Sequence, residues 1–388
     1  MQTTAQARLY TTPFLLICVS HFLFGASFNM LIPELPAYLT SLGGAEYKGL
    51  IIALFTVTAG ISRPFSGRLT DTVGRVPVMI IGTLVCVVCS LLYPVLTTVG
   101  GFLLLRFFHG FSTGFKPTAS TAYAADIVPM QRRGEAMGIL GVSMNAGASI
   151  SPPVGSWLAQ AWSLNAMFYA SSGIALVSIF ILLNLKETLT EKQAFRPGLL
   201  YIHPRDVIEY SAVAPAIVTL LIYFSYGTLL TIVPDQSEFL GISNKGLFFT
   251  TFTLCSICSR LVAGKVSDRF GRVPVIKAAA VLTALALIWM GTADTPFTLL
   301  AASGAVGFGT GIGAPSVFAW VIDRTPDHRR GRGFATIYIA LEIGIGSGAL
   351  LSAWVYHNNP ANFGSAFFVT ALSSIAAAGY LQFRRRVR

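Results

Sequence analysis

One apolar stretch of the chain carries five side chains able to do chemistry. Arg106, His109, Thr113, Lys116 and Ser120 stand at offsets of +3, +7, +10 and +14 from the first. At about 100° per residue they fall within about 80° of a helix circumference, so they form one polar, basic stripe. Ionisable groups sunk in a bilayer are costly and mark ion or substrate pathways. Such a stripe is expected to face a wet cavity or paired acids. The candidate acids are Glu34, Asp235 and Glu342, the last about 13 Å into its apolar run. Two chemistries fit: reversible protonation of a carboxylate beside a fixed cation, and recognition of an anion by Arg106 and Lys116. Glu342 is read as either a proton carrier or a structural ion-pair partner. Glu34 and Asp235 each follow a proline near the water interface and either bind protons or are simply solvated. His109 either titrates near neutrality or only hydrogen-bonds.

The elements that would position these groups are membrane helices. Of the 388 residues, 54% are hydrophobic and 11% charged, against roughly 25% charged in a soluble domain. Apolar runs of about 20 residues recur, each long enough to cross a hydrocarbon core of ~30 Å as a helix. The ~10-residue alternating segments of a membrane β-barrel are not seen. The fold class expected is an all-α membrane protein with twelve transmembrane helices. The spans are placed at 12–36, 46–66, 76–97, 100–125, 134–159, 164–184, 212–233, 243–263, 274–292, 295–321, 333–356 and 363–382. The first run lacks a small-residue cleavage pattern and reads as a retained span.

Charge orients the chain. Of 27 Lys and Arg residues only Lys48 and Lys245 fall in outer loops when both termini are inside; Arg106 and Lys116 lie within a span and the rest at the inner face. That is a positive-inside pattern. A net charge of +11 is explained by a basic rim against anionic headgroups and needs no nucleic acid. A multi-pass bacterial inner-membrane protein with cytoplasmic termini is expected.

The chain also repeats itself. "GRLTDTVGRVPV" (Gly67 to Val78) returns 197 residues later as "GKVSDRFGRVPV", with seven of twelve positions identical. At the same offset Ser62-Arg63 matches Ser259-Arg260, Asp126 matches Asp323, and Gly110 and Gly114 match Gly307 and Gly311. "IPELPAYL" resembles "VPDQSEFL" at an offset of 201. The chain reads as two six-span bundles, 1–184 and 212–388, joined by a cytoplasmic linker, 185–211. Parallel six-span repeats build many secondary transporters, with the site between them near mid-membrane; a pore or a structural protein could share the symmetry.

These residues resemble the major facilitator superfamily. The twice-occurring loop is similar to the family's signature between spans 2 and 3 and its weaker copy between spans 8 and 9. "LRFFHGFSTG" resembles its span-4 motif. In span 5, Gly138, Gly147, Ser151-Pro152 and Gly155 follow the spacing of the drug/proton antiporter branch, with Ser151 and Ser156 where that branch prefers Gly. The resemblance implies a conformational latch at the inner surface: Asp71, Arg75 and Asp126 beside the start of span 11, with Gly67 and Gly74 permitting turns and close approach, and Gly264, Asp268 and Arg272 as the second copy. Arg68 and Arg75 both admit a reading as simple topology charges; Arg68 reads that way, and Asp71 and Arg75 read as the latch. It also implies that spans 1, 4, 7 and 10 line the site, where Tyr223, Phe224 and Tyr226 supply an aromatic wall or ordinary packing. Gly147, Pro152 and Gly155 are hinge or packing points, as are the glycines of span 10.

"CVVC" (Cys86, Cys89) and "CSIC" (Cys255, Cys258) lie in apolar spans and read as small packing residues rather than metal ligands. "GFGTGIG" has no preceding strand to make it a nucleotide loop. The expected function is export of a small organic compound, anionic or amphipathic, by proton-coupled antiport. Import of an organic anion by proton symport is the alternative, and a non-transporting receptor or scaffold a third. No enzyme, metal or cofactor is expected; the energy source is the proton gradient, and the partners are a small-molecule substrate, protons and lipid, with the chain a monomer.

Overall fold

The computed structural model describes residues 9–201, 208–326 and 329–386. Arg8, the middle of the linker and the last two residues of the C-terminal basic run lie outside them. Every long element among the described residues is a helix: α1 (Thr12–Asn29), α2 (Leu35–Ser41), α3 (Lys48–Thr72), α4 (Arg75–Leu92), α5 (Val99–Ile127), α6 (Arg133–Ala161) and α7 (Leu164–Leu183), then α8 (Val213–Phe239), α9 (Leu247–Phe270), α10 (Arg272–Gly291), α11 (Pro296–Arg324), α12 (Arg330–Tyr356) and α13 (Phe363–Arg386). Several start on a side chain that takes up a free backbone N–H: Thr11 accepts from Phe14, Thr98 from Gly101, Ser163 from Ala166 and Thr295 from Thr298.

Spans 2 to 12 of the sequence are α3 to α13 in order. Span 1 is not one helix: it breaks at Met30–Glu34 and restarts as α2. Pro33 and Pro36 both fall at this point, each removing a backbone donor. The matching α8 has one proline there, Pro234, and runs through it. Ten of the helical segments are apolar and long enough to cross a membrane. α5 and α6 are 29 residues each, but the buried cations of α5 and the Gly and Ser of α6 lower their hydropathy below the others.

The helices form two bundles with the same wiring. In the first, α5 packs between α3 and α4, α7 closes against α1 and α4, and α6 lies on α1; in the second, α11, α13 and α12 take the corresponding places around α9, α10 and α8. The bundles meet along α3 with α12 and α6 with α9. At the end away from the basic loops, one apolar core runs through both, joining Met30, Leu35 and Ile52 to Leu229, Phe248 and Ala349. At the basic end each bundle keeps its own core, around Phe14, Met79 and Tyr123 in the first and Val218, Ile276 and Trp320 in the second. The bundles are fused at the far end and apart at the basic end.

Candidate functional site

The basic stripe of α5 does not face a gap between the bundles. Arg106 is 2% exposed and His109 and Lys116 are fully enclosed, all inside the first bundle. Arg106 donates from Nε to the Ile51 carbonyl at 2.9 Å, from Nη1 to the Tyr93 hydroxyl at 3.4 Å, and lies 4.6 Å above the Phe55 ring. The ammonium of Lys116 has three donors and finds three acceptors: the Ser20 carbonyl at 2.9 Å, Ser20 Oγ at 2.7 Å and Ser178 Oγ at 2.7 Å. His109 bridges the Tyr93 hydroxyl and Cys86 Sγ, each at 3.2 Å. The expectation of a wet cavity or paired acids around this stripe is corrected. Neutral hydroxyls, carbonyls and ring faces satisfy the cations instead. Helical spacing shows which side chains share a face but not which neighbour that face meets, and a serine or carbonyl on another helix is an acceptor a search for acids overlooks. Ser20 and Ser27 of α1 face the same interior, bonded to Ser178 and Ser171 of α7.

The three candidate acids lie between the bundles, each tied to the opposite one. Lys48 of α3 pairs with Asp235 of α8. Lys245, just before α9, stands 3.9 Å from Glu34, which also accepts a hydrogen bond from Ser156 at 2.6 Å. Lys245 is further held by Glu238 at 2.6 Å. Lys48 and Lys245 are one repeat apart, and so are Glu34 and Asp235. The far end is therefore closed by two ion pairs exchanged reciprocally between the bundles. Glu34 is buried and Asp235 half-buried, and both are ion-paired rather than simply solvated. The sequence signal was the repeat offset of the two outer lysines.

Glu342 of α12 meets a residue assigned to the inner face. Arg63 Nη2 donates to Glu342 Oε1 at 2.7 Å and its guanidinium lies 4.5 Å from the Tyr338 ring. Arg63 and Arg260 fall near the ends of the expected spans 46–66 and 243–263 and count with the inner-face charges; α3 and α9 run on to Thr72 and Phe270, so both stand well inside their helices. Gly60, one turn before Arg63, leaves room for Glu342: a Cβ there would be 3.4 Å from Glu342 Cβ. Arg63 had only its place in the repeated Ser-Arg pair to mark it.

At the basic end the expected latch residues assemble within each bundle. Arg75 bonds Asp126 at 3.0 Å and Asp71 at 3.2 Å. Arg272 repeats this with Asp323 at 3.1 Å and with Asp268. Asp71 is largely exposed and engages Arg75 of its own bundle, not α12, because the bundles stand apart here. Gly67 and Gly264 lie within α3 and α9, not in turns, and no described atom would approach a Cβ on either; their expected close approach is not made in this conformation. Gly74 does make a turn, at φ +139°, and a Cβ there would stand 2.5 Å from Glu187 Oε2. Glu187 escaped the sequence reading. Its carboxylate accepts from the backbone N–H of Arg75, Val76, Thr188 and Leu189 at 2.9–3.0 Å, capping α4. Burial opposes its charge, but these four donors outweigh burial and hold the carboxyl below the usual glutamate range.

α6 stays one helix through Pro152. Gly246, just before α9, abuts Pro152, Asn244 donates to the Pro153 carbonyl at 3.0 Å, and Thr250 to that of Ser149 at 2.7 Å, all across the interface. Gly147 and Gly155 let α6 close on Phe22, Ala26 and Met30 of α1. Tyr226 stacks obliquely on Phe252 of α9, ring centroids 5.7 Å apart.

A family model described as Major Facilitator Superfamily matches residues 17–214 and again 215–388. Among curated proteins, the chain is 28% identical over 379 residues to Multidrug resistance protein MdtG of Enterobacter lignolyticus, covering 92% of this chain and 88% of that one. It is 29% identical over 378 residues to the protein of the same name from Serratia proteamaculans, covering 92% and 90%. Among solved structures, a D-xylose-proton symporter superposes with a TM-score of 0.75 at 17% identity, covering 95% of this chain and 96% of that one. The human organic anion transporter MFSD10 gives 0.72 at 18% identity, covering 95% and 98%.

Proposed function

Because the chain belongs to the major facilitator superfamily, we propose that it is a multi-pass inner-membrane transporter, exporting a small organic compound in exchange for protons by alternating access. The observation that carries the coupling is the Arg63–Glu342 pair across the α3/α12 interface. A proton on Glu342 removes the charge that Arg63 grips, so protonation and this closed contact oppose each other. A proton can then bias the equilibrium between conformations only by that differential interaction. With the basic loops on the cytoplasmic side, the conformation described is inward-facing: the Lys48–Asp235 and Lys245–Glu34 pairs close the outer end while the inner ends are apart. The drug-export direction is supported by the similarity to MdtG proteins over nine-tenths of the chain. Glu342 is the proton site in this reading, and Glu34 and Asp235 are gate residues.

The test is transport by purified protein in liposomes with an imposed pH gradient. Rhodamine 6G and protons should move in opposite directions, and Glu342→Gln should cut gradient-driven dye accumulation at least tenfold while dye binding persists. Movement of dye and protons together would favour the symporter. Full coupling in Glu342→Gln would remove Glu342 from the proton's path.

A further inference from the structure

The duplication fails at one place that matters. Arg63 and Arg260 occupy the same repeat position on α3 and α9. The partner of Arg63 is Glu342; one repeat earlier, on α6, the corresponding residue is Asn145. Arg63 is consequently closed in by a carboxylate and a tyrosine ring. Arg260 pairs with no carboxylate among the described residues, is exposed, and makes only a long hydrogen bond from Nε to Ser256 Oγ at 3.4 Å.

The surroundings of Arg260 show where it looks. Leu254 and Leu261, 52% and 75% exposed, mark the lipid side of α9, and Arg260 is turned away from them by about 100–120° at 100° per residue. Toward α8, Phe252 of α9 meets Tyr226, and the hydroxyls of Tyr223 and Tyr226 lie within electrostatic reach of Arg260. Toward the first bundle, α9 meets α6 through Gly246 and Thr250, and Asn145 is on that helix. A cation inside a membrane helix, turned from lipid and without a counter-charge, belongs beside a water-filled path.

We propose that Arg260, with Tyr223 and Tyr226, binds the negative charge of the transported compound, so that the substrate class includes organic anions carrying an aromatic or apolar body. The guanidinium is a fork of donors suited to a carboxylate or similar oxyanion. The two tyrosines, their rings 6.5 Å apart and Tyr226 against Phe252 of α9, supply ring faces and hydroxyl donors from the neighbouring helix α8. Asn145 leaves the charge of Arg260 unspent, where a second glutamate would have neutralised it. This site rests on the transport reading for its purpose but can be tested at equilibrium without any gradient.

Binding of 2-naphthoate, 2-naphthamide and 2-naphthylmethylamine to the purified protein would be compared by titration calorimetry at equal pH. Naphthoate should bind at least tenfold more tightly than the neutral amide. Arg260→Gln should remove that preference while leaving the unliganded melting temperature and amide binding in place, and Arg260→Lys should restore part of it. Asn145→Glu, which keeps Arg260 but sets an acid opposite it as in the Arg63 pair, should weaken naphthoate at least tenfold. The proposal is overturned if the wild type does not distinguish naphthoate from naphthamide, including by binding neither. It is equally overturned if Arg260→Gln keeps the preference, or if Asn145→Glu leaves it intact. Rhodamine 6G exchange for protons, measured separately, tells a failed anion site from a failed transport reading: intact exchange with no charge preference removes only the site.

Discussion

In the first bundle, α5 points Arg106, His109 and Lys116 into the bundle interior, where hydroxyls of α1, of α7 and of Tyr93 at the end of α4 hold them. One repeat later, α11 has Ser303, Val306 and Gly313 at those positions. Ser303 bonds Thr251 Oγ1 at 2.7 Å, and a Cβ added at Gly313 would stand 3.4 Å from Ala279 Cβ. Elsewhere the bundles agree closely. Gly114 is pressed onto Ser62 as Gly311 is onto Ser259, and Arg75 joins Asp71 and Asp126 as Arg272 joins Asp268 and Asp323. The difference separates two kinds of position. A bundle that moves as one body can change its interior freely, provided every buried polar group stays satisfied. Positions that touch the other bundle depend on the partner they meet there: the outer lysine pairs keep the symmetry, and the Arg63–Glu342 pair breaks it.

The largest contrast should come from the interiors. Arg106→Ala leaves the Ile51 carbonyl and Tyr93 hydroxyl without their donor and opens a cavity, costing about 4 kcal/mol. Ser303→Ala, at the matching place, should cost about 1 kcal/mol. Chemical unfolding in detergent measures both, and equal losses would contradict the claim that only the first interior depends on a buried cation. Next come the two turn glycines. Gly74→Ala adds a collision with Glu187 to an unfavourable φ and should cost about 2–3 kcal/mol. Gly271→Ala, at φ +88° with Pro274 Cδ 3.6 Å away, bears only the backbone strain of about 1 kcal/mol. A reversed order would show that the Glu187 cap yields without cost. The smallest effect concerns that cap. A carboxyl held low in the folded state contributes stability above the ordinary glutamate value of about 4.3 and loses it as pH falls through its lower folded value. Glu187→Gln should therefore lower stability by about 1 kcal/mol at pH 7 and flatten the decline below pH about 4.3. An unchanged acid profile would mean that the cap has no energetic role.

Much of the architecture was legible in the chain because it is written in periodic or duplicated signals. Apolar runs gave the helices, and the 197-residue offset gave the two bundles. Their ends were less so: α3 and α9 extend beyond their apolar stretches, since a helix is stable past the hydrocarbon edge once its polar turn is capped or ion-paired. That extension sets Arg63 and Arg260, which lie near the ends of the expected spans, well inside their helices. For the site, Glu342 was recognisable as a charge out of place, while its partner was not, because Arg63 sits close to the inner end of its expected span, where it passes for an interfacial topology charge. Glu187 was hidden in a polar linker, where one acid looks like any other until four backbone donors converge on it.

By itself the sequence determined the number of bundles, their internal likeness and the rarity of the buried charges, because hydropathy and repetition are one-dimensional properties. Which buried charge meets which neighbour was decided only in three dimensions. A helix face acquires a partner when bundles pack, and packing sent Arg106 and Lys116 to hydroxyls and carbonyls within one bundle, Glu342 to Arg63 across two, and Arg260 to no acid among the described residues.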